Sequence, residues 1–344
     1  MTLRFGLALQ NDFPPGSDVQ SRIAQLREQA QEAARGGIDS LWVLQHYLGS
    51  MPTLQPVHLL SALVEDSGDL GLGTNMYILP LRHPAGVAEE FSTLDNLSGG
   101  RARAGFGMGY RENEFESFGI PMKERIGRYT ESIEIIRALW RGEPVTYEGK
   151  YFQLDNEKIS LPPVQAGGPP IFVGAGAHKK GIERAAKLGD AWIVPPHVTG
   201  ERLTRAAELY RAARAENGAD PATDRFMIRR ELVLHEDRDQ ALREGAEART
   251  RLTAEYGKYN APDKTADYAQ LTDEKAAEEK ATEAYIFTDP DGAVEQFREL
   301  EAQGVTDIVL RMQWFDLPHE RMLKTLRLFR EEVLPRLQSE ALVP

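Results

Sequence analysis

Cysteine is absent from the chain. That excludes disulfides, thiolate nucleophiles and zinc–thiolate centres, and makes the cytoplasm the expected compartment. No apolar run approaches the ~18 residues that a membrane span requires. Met1-Thr2-Leu3-Arg4 leads straight into strand-like sequence, without the pattern of a signal peptide. An excess of positive charge is missing too: the 344 residues carry a net charge of −12. With no basic stripe interleaved with aromatics, nucleic acid is not an expected partner. No set of histidines and carboxylates has metal-ligand spacing, so no metal site is expected. A Gly-x-Ser-x-Gly elbow is absent. Gly105-Phe106-Gly107-Met108-Gly109-Tyr110 lacks the third glycine of a dinucleotide fingerprint, and no helix starts directly after it.

What is present is a soluble globular composition, 41% apolar and 27% charged, with a regular alternation of strand and helix. Ser40-Leu41-Trp42-Val43-Leu44 is apolar almost without alternation, the signature of a strand buried on both faces. Similar runs occur at 3–9, 70–79, 101–108, 170–174, 191–195, 226–235 and 306–312. Helical spacing follows each of them, as at 18–36, which stops at Gly36-Gly37. Eight such repeats predict a (β/α)8 TIM barrel, a single domain over 1–344, with insertions at about 142–168 and 257–283. The first insertion reads as a hairpin around Tyr147–Phe152. The second is polar and reads as a disordered loop or as a lid over ligand.

In a parallel barrel the chemistry sits where strands end. The candidates are Gln45, His46 and Tyr47 after the second strand; Asn75, Met76 and Tyr77 in the third; Met108, Gly109 and Tyr110 after the fourth; Gly174 to Lys180 after the fifth; His197 after the sixth; and Gln313 and Trp314 after the eighth. The loop Gly174-Ala175-Gly176-Ala177-His178 lets backbone approach a ligand, and the helix behind it offers free N–H groups to an anion. Lys179 and Lys180 would add positive charge. By itself the loop is also compatible with an ordinary tight turn. His46 by itself could equally be a satisfied core histidine, and Trp314 could simply pack against the last helix.

The chain resembles the bacterial luciferase-like flavin monooxygenase family along nearly its whole length. The resemblance is carried by Asp39–His46, Leu72-Gly73-Thr74-Asn75, His83-Pro84, Leu97-Ser98-Gly99-Gly100-Arg101, Gly105–Tyr110 with Glu114-Phe115 and Phe118-Gly119, Leu139-Trp140, Tyr147–Phe152, Pro163-Val164-Gln165 and Ala185–Trp192. It implies a (β/α)8 barrel that binds flavin at its C-terminal mouth. The flavin is usually reduced FMN from a separate reductase, which reacts with O2 to a C4a-(hydro)peroxide that oxygenates a small organic substrate. One branch instead uses coenzyme F-420 for hydride transfer, and a non-catalytic flavin-binding protein is a further alternative. The resemblance implies His46 as the base or proton shuttle beside the flavin. It implies Asn75-Met76 as a bulge, often cis, that backs the ring, and Gly174 to His178 as the phosphate loop. Met108 and Tyr110 line the cofactor, and Tyr47, Gln313 and Trp314 are the expected rim of the substrate pocket. Family members are commonly dimers or tetramers, so a homo-oligomer is expected.

Three positions depart from the family pattern. Gln45 stands where luciferases carry Glu and the deazaflavin branch Asp, so His46 is expected to lack a charged neighbour there. Met108 stands where luciferase has a phosphate-holding Arg, which shifts the expected charge to Lys179 and Lys180. Tyr110 stands where deazaflavin-dependent sugar-phosphate oxidation uses a Glu as acid.

Overall fold

The computed structural model describes residues 3–49, 51–247, 284–314 and 317–339. β1 (Arg4–Leu9) leads to α1 (Val19–Ala34), whose first turn is capped by the Asp18 carboxylate. β2 (Ser40–Val43), α2 (Pro56–Ala62) and β3 (Gly71–Thr74) follow. A cis peptide bond at Asn75–Met76 separates β3 from β4 (Tyr77–Ile78). The expected single strand over 70–79 is therefore two pieces. Next come α3 (Pro84–Leu97), β5 (Ala102–Gly107), the short α4 (Glu112–Ser117) and α5 (Arg125–Trp140). The first insertion is an antiparallel hairpin, β6 (Val145–Glu148) and β7 (Gln153–Glu157). It is tied to α5 by the Glu131 carboxylate, which accepts from the N–H groups of Lys150, Tyr151 and Phe152 at 2.9–3.2 Å.

The alternation resumes with β8 (Ile171–Gly174), α6 (Lys179–Leu188), β9 (Ala191–Ile193), α7 (Gly200–Glu216) and β10 (Arg225–Leu234). Helical residues 238–247 form α8. Then follow β11 (Tyr285–Thr288), α9 (Pro290–Ala302), β12 (Asp307–Arg311), α10 (His319–Leu328) and α11 (Leu334–Ser339). The polar segment 257–283, expected as loop or lid, lies outside the described residues.

The parallel strands close in the order β1-β2-β3-β5-β8-β9-β10-β12, with β12 returning to β1. This is the eight-stranded barrel that the alternation predicts. One strand was not anticipated: β11 runs parallel to the upper half of β10, Glu231 to Leu234. It is four residues long with only alternate residues buried, too short a pattern to stand out beside the polar segment before it. Among the described residues no helix is long and apolar enough to cross a membrane, and no three metal-ligating side chains converge.

The barrel interior is layered. At the N-terminal end of the strands Asp307 accepts from Arg4 and Arg225. Arg103 shares this end; burial, then the nearby charge of Arg225, pushes it down to about 10. The middle layer is an apolar plug of Trp42, Phe172, Ala191, Ile193, Met227 and Val309. Trp42 meets Phe172 edge-on at 5.0 Å and donates to Ser40 Oγ at 2.9 Å. Gly6 and Gly73 flank it because a Cβ at either would overlap the indole. Above the plug Arg311 donates to Gln10 Oε1 at 2.9 Å, and Arg229 pairs with Glu231 at 3.1 Å. The Leu97–Arg101 motif is a latch at the opposite end. Arg101 donates to Leu70 O, Val64 O and Ser67 Oγ at 2.7–3.1 Å, joining the end of α3 to the segment before β3.

Candidate functional site

His46 stands at the C-terminal mouth, three residues beyond the end of β2. Its Nδ1 lies 3.2 Å from Glu114 Oε1, and the same oxygen accepts the Tyr47 N–H at 2.8 Å. Glu114 is fully buried, while the His46 side chain is 21% exposed. A carboxylate on Nδ1 favours the tautomer with its proton there and leaves Nε2 toward the mouth. Glu114 Oε2 has no hydrogen-bond partner among the described residues. The Gln55 amide holds the His46 carbonyl at 3.2 Å. Tyr110 presents its ring to the imidazole edge-on, with centroids 5.9 Å apart, and is itself exposed.

The expectation that His46 lacks a charged neighbour is thus corrected. Its carboxylate comes from α4, 68 residues along the chain. Phe115 fixes that helix by filling a small cluster with Ile78 and Leu81. The available signal was the Glu114-Phe115 pair itself.

Gln45, in place of the family's acid, is a buried strut. Its Oε1 accepts the Ile78 N–H at 2.7 Å, and its amide donates to Tyr47 OH at 2.9 Å and to Gln55 Oε1 at 3.1 Å. It therefore ties the end of β2 to β4. Tyr47, expected on the substrate rim, is half-buried; its hydroxyl accepts from Gln45 and from Arg82, and its ring packs on Phe118 with centroids 4.8 Å apart. Burial raises the Tyr47 phenol, with Arg82 pulling the other way.

Asn75-Met76, between β3 and β4, is cis as the resemblance implies. Thr74 Oγ1 donates to Gly105 O and accepts from Gly105 N, locking β3 to β5 just below. Met76 lies across Gly107 and Gly174, where a Cβ would press on its side chain. Gly174, Ala175, Gly176, Ala177 and His178 form the turn into α6. The His178 ring caps that helix, accepting Gly181 N–H at 3.2 Å, and Trp192 donates to Ala175 O at 2.9 Å. Gly181 is required because a Cβ would overlap Gly176 O. At Gly176 a Cβ would meet the His178 ring at 3.1–3.3 Å, so a side chain there would press on the helix cap.

The two lysines do not face this turn. Lys179 is 88% exposed and pairs with Glu183 at 3.9 Å, and Lys180 is exposed. The guanidinium of Arg184, one turn further on, instead meets Met108 Sδ at 3.9 Å. His197 is exposed on the rim.

Gln313 and Trp314 are corrected as well. Gln313 accepts from Gln29 on α1 at 2.7 Å and donates to Leu317 O at 3.1 Å. Trp314 is fully buried, stacked on Phe287 and packed with Val233, Ala241 and Leu317. These contacts assign both side chains to packing around the barrel.

The sequence pattern of the luciferase-like monooxygenase family matches residues 3–309. The F420-dependent glucose-6-phosphate dehydrogenase of Amycolatopsis mediterranei (strain U-32) is 29% identical over 334 residues, 91% of this chain and 94% of that one. The 4-hydroxyprotoasukamycin monooxygenase of Streptomyces nodosus subsp. asukaensis is 30% identical over 263 residues, 74% of this chain and 70% of its own. Among solved structures, the monooxygenase RslO1 from Streptomyces bottropensis superposes with a TM-score of 0.86 at 24% identity, covering 97% of this chain and 99% of that one.

Proposed function

The chain is an oxidoreductase of the luciferase-like monooxygenase family, and from that premise we propose that it uses reduced FMN and O2 to oxygenate a small organic substrate, with the FMN supplied by a separate reductase. The observation that carries this reading is the surroundings of His46. Glu114 stands behind the ring, and Tyr110 stands at its open side. The resemblance associates hydride transfer from sugar phosphates with a carboxylic acid at the Tyr110 position, and a phenol is a far weaker acid.

The residues suit a flavin mononucleotide. Asn75-Met76 would back the ring system. The turn from Gly174 to His178, where Gly174 and Gly176 leave the backbone bare and the first N–H groups of α6 lie behind it, would take the phosphate. Bound reduced FMN supplies the activation of O2. The chain's own residues bind, orient and shield. His46 would hold or move a proton at Nε2, kept in register by Glu114 through Nδ1. Met76 and the Tyr110 ring would limit access of water to that proton.

The test is a cofactor titration. Anaerobic titration of the protein with reduced FMN and with reduced F420, followed by measurement of O2 uptake, should give tight reduced FMN and protein-dependent O2 consumption. Micromolar retention of F420 with no response to reduced FMN would overturn the reading in favour of an F420-dependent oxidoreductase, the kind of enzyme that the Amycolatopsis relative's name describes.

A further inference from the structure

We infer that Arg184 on α6 is the side chain that holds the charge of the cofactor phosphate, reaching from that helix to Met108 just past the end of β5. The inference rests on the flavin reading above.

In an α-helix each Cα–Cβ bond tilts toward the N-terminus. A long side chain on the second turn of α6 therefore leans back toward the turn Gly174–His178. Arg184 does so while half-buried, and its Nη1 comes 3.9 Å from Met108 Sδ, just past the end of β5. A thioether is a weak acceptor, whereas a guanidinium carries five donors in a planar fork. Arg184 has no carboxylate partner among the described residues. Tyr129 lies close by, since the charge of Arg184 acts on its phenol. That hydroxyl is already spent, donating to Phe106 O at 2.8 Å. The fork is thus held at the mouth, just past the end of β5, with Met108 Sδ its only hydrogen-bond contact among the described residues.

The neighbouring cations do not compete for the role. Lys179 is turned to solvent and paired with Glu183, and Lys180 is exposed. The turn beneath has the bare backbone of Gly174 and Gly176 and the α6 N–H groups. A phosphate monoester seated there would receive backbone donors from below and a bidentate guanidinium from the side.

The experiment is a fluorescence-quenching titration with FMN and with riboflavin, which lacks the phosphate. Four proteins are compared: wild type, Arg184→Met, Arg184→Lys and the double variant Lys179→Ala/Lys180→Ala. Wild type should prefer FMN. Arg184→Met should lose FMN affinity roughly 10- to 100-fold while riboflavin affinity is unchanged, which also certifies the fold. Arg184→Lys should fall in between, and the double lysine variant should stay within about 3-fold of wild type. An unchanged FMN-to-riboflavin ratio in Arg184→Met would overturn the inference and leave the flavin reading intact. So would an equal loss of both ligands, or a larger effect from the lysines. A wild-type protein that binds no flavin would bring down the proposed function and this inference together.

Discussion

One carboxylate oxygen, Glu114 Oε1, holds both the imidazole of His46, at 3.2 Å, and the N–H of the following residue, at 2.8 Å. The ring and its own main chain are thereby fixed to a single point. If Glu114 works only through His46, the two substitutions should not add. His46→Ala should lower kcat by roughly 10²- to 10⁴-fold. Glu114→Gln should lower it by roughly 10- to 100-fold, as for a residue that orients a functional histidine. The double variant should be no slower than His46→Ala alone, as measured by steady-state turnover in a double-mutant cycle. Losses that multiply would mean that Glu114 has a role of its own.

Gln45 stands where the family resemblance implies an acid, so Gln45→Glu looks like a restoration. The contacts argue the reverse. The substitution keeps the acceptor for Ile78 N–H but removes the donor to Gln55 Oε1 and to Tyr47 OH. It also adds charge to a side chain that is 3% exposed. A loss of about 1–3 kcal/mol in urea unfolding is expected, with no gain in turnover. Higher activity at unchanged stability would contradict this.

Gly73→Ala should be costly although alanine is small. The new methyl would overlap the Trp42 ring, which is also confined by Gly6 and by its bond to Ser40. Overpacking of this kind costs about 1–3 kcal/mol. Unfolding monitored by tryptophan fluorescence would read both the loss and the displaced indole. Gly86→Ala, in α3 with nothing within 4 Å of the new Cβ, is the matched control and should be neutral or slightly stabilising.

Asp307 ties stability to pH. Burial pushes its carboxyl up, but hydrogen bonds and charge from Arg225 and Arg4 outweigh this and hold it below the usual range. Its folded value therefore lies below its unfolded value of about 3.9. The stabilisation is complete above the unfolded value and is lost as pH falls through the folded one. Asp307→Asn should cost about 1–3 kcal/mol near pH 7, because it leaves two arginines, both partly in contact with solvent, facing a neutral amide. The gap from wild type should narrow on acidification below about pH 4 in denaturant titrations at several pH values. A gap that stays constant down to pH 3 would show that the pair does not drive the acid sensitivity.

The barrel was legible because its strands are buried on both faces: Leu41-Trp42-Val43 and Ile171-Phe172-Val173 have no polar side to hide them. His46 was legible as a position, since the end of such a strand lies at the mouth. Its partner was not. α4 is six residues long, too short to show helical periodicity, and nothing local links Glu114 to a residue 68 positions earlier. Gln313 and Trp314 show another limit. Following a strand sets the height of a residue on the barrel, but side-chain alternation ends with the strand at Arg311, so direction is open. Lys179 and Lys180 show the same limit: the first turn of α6 points them outward, whereas Arg184, a turn later, reaches Met108 Sδ.

The apolar plug around Trp42 and Phe172 has a consequence for how the molecule can change. It lies between an ionic cluster at one end of the barrel, around Asp307, and a hydrogen-bonded site at the other, around His46. The two ends share no side-chain partner among the described residues. Substitutions at one end should then combine with those at the other without epistasis. The barrel is partitioned into a part that can be selected for endurance and a part that can be selected for chemistry, each free to drift without renegotiating with the other.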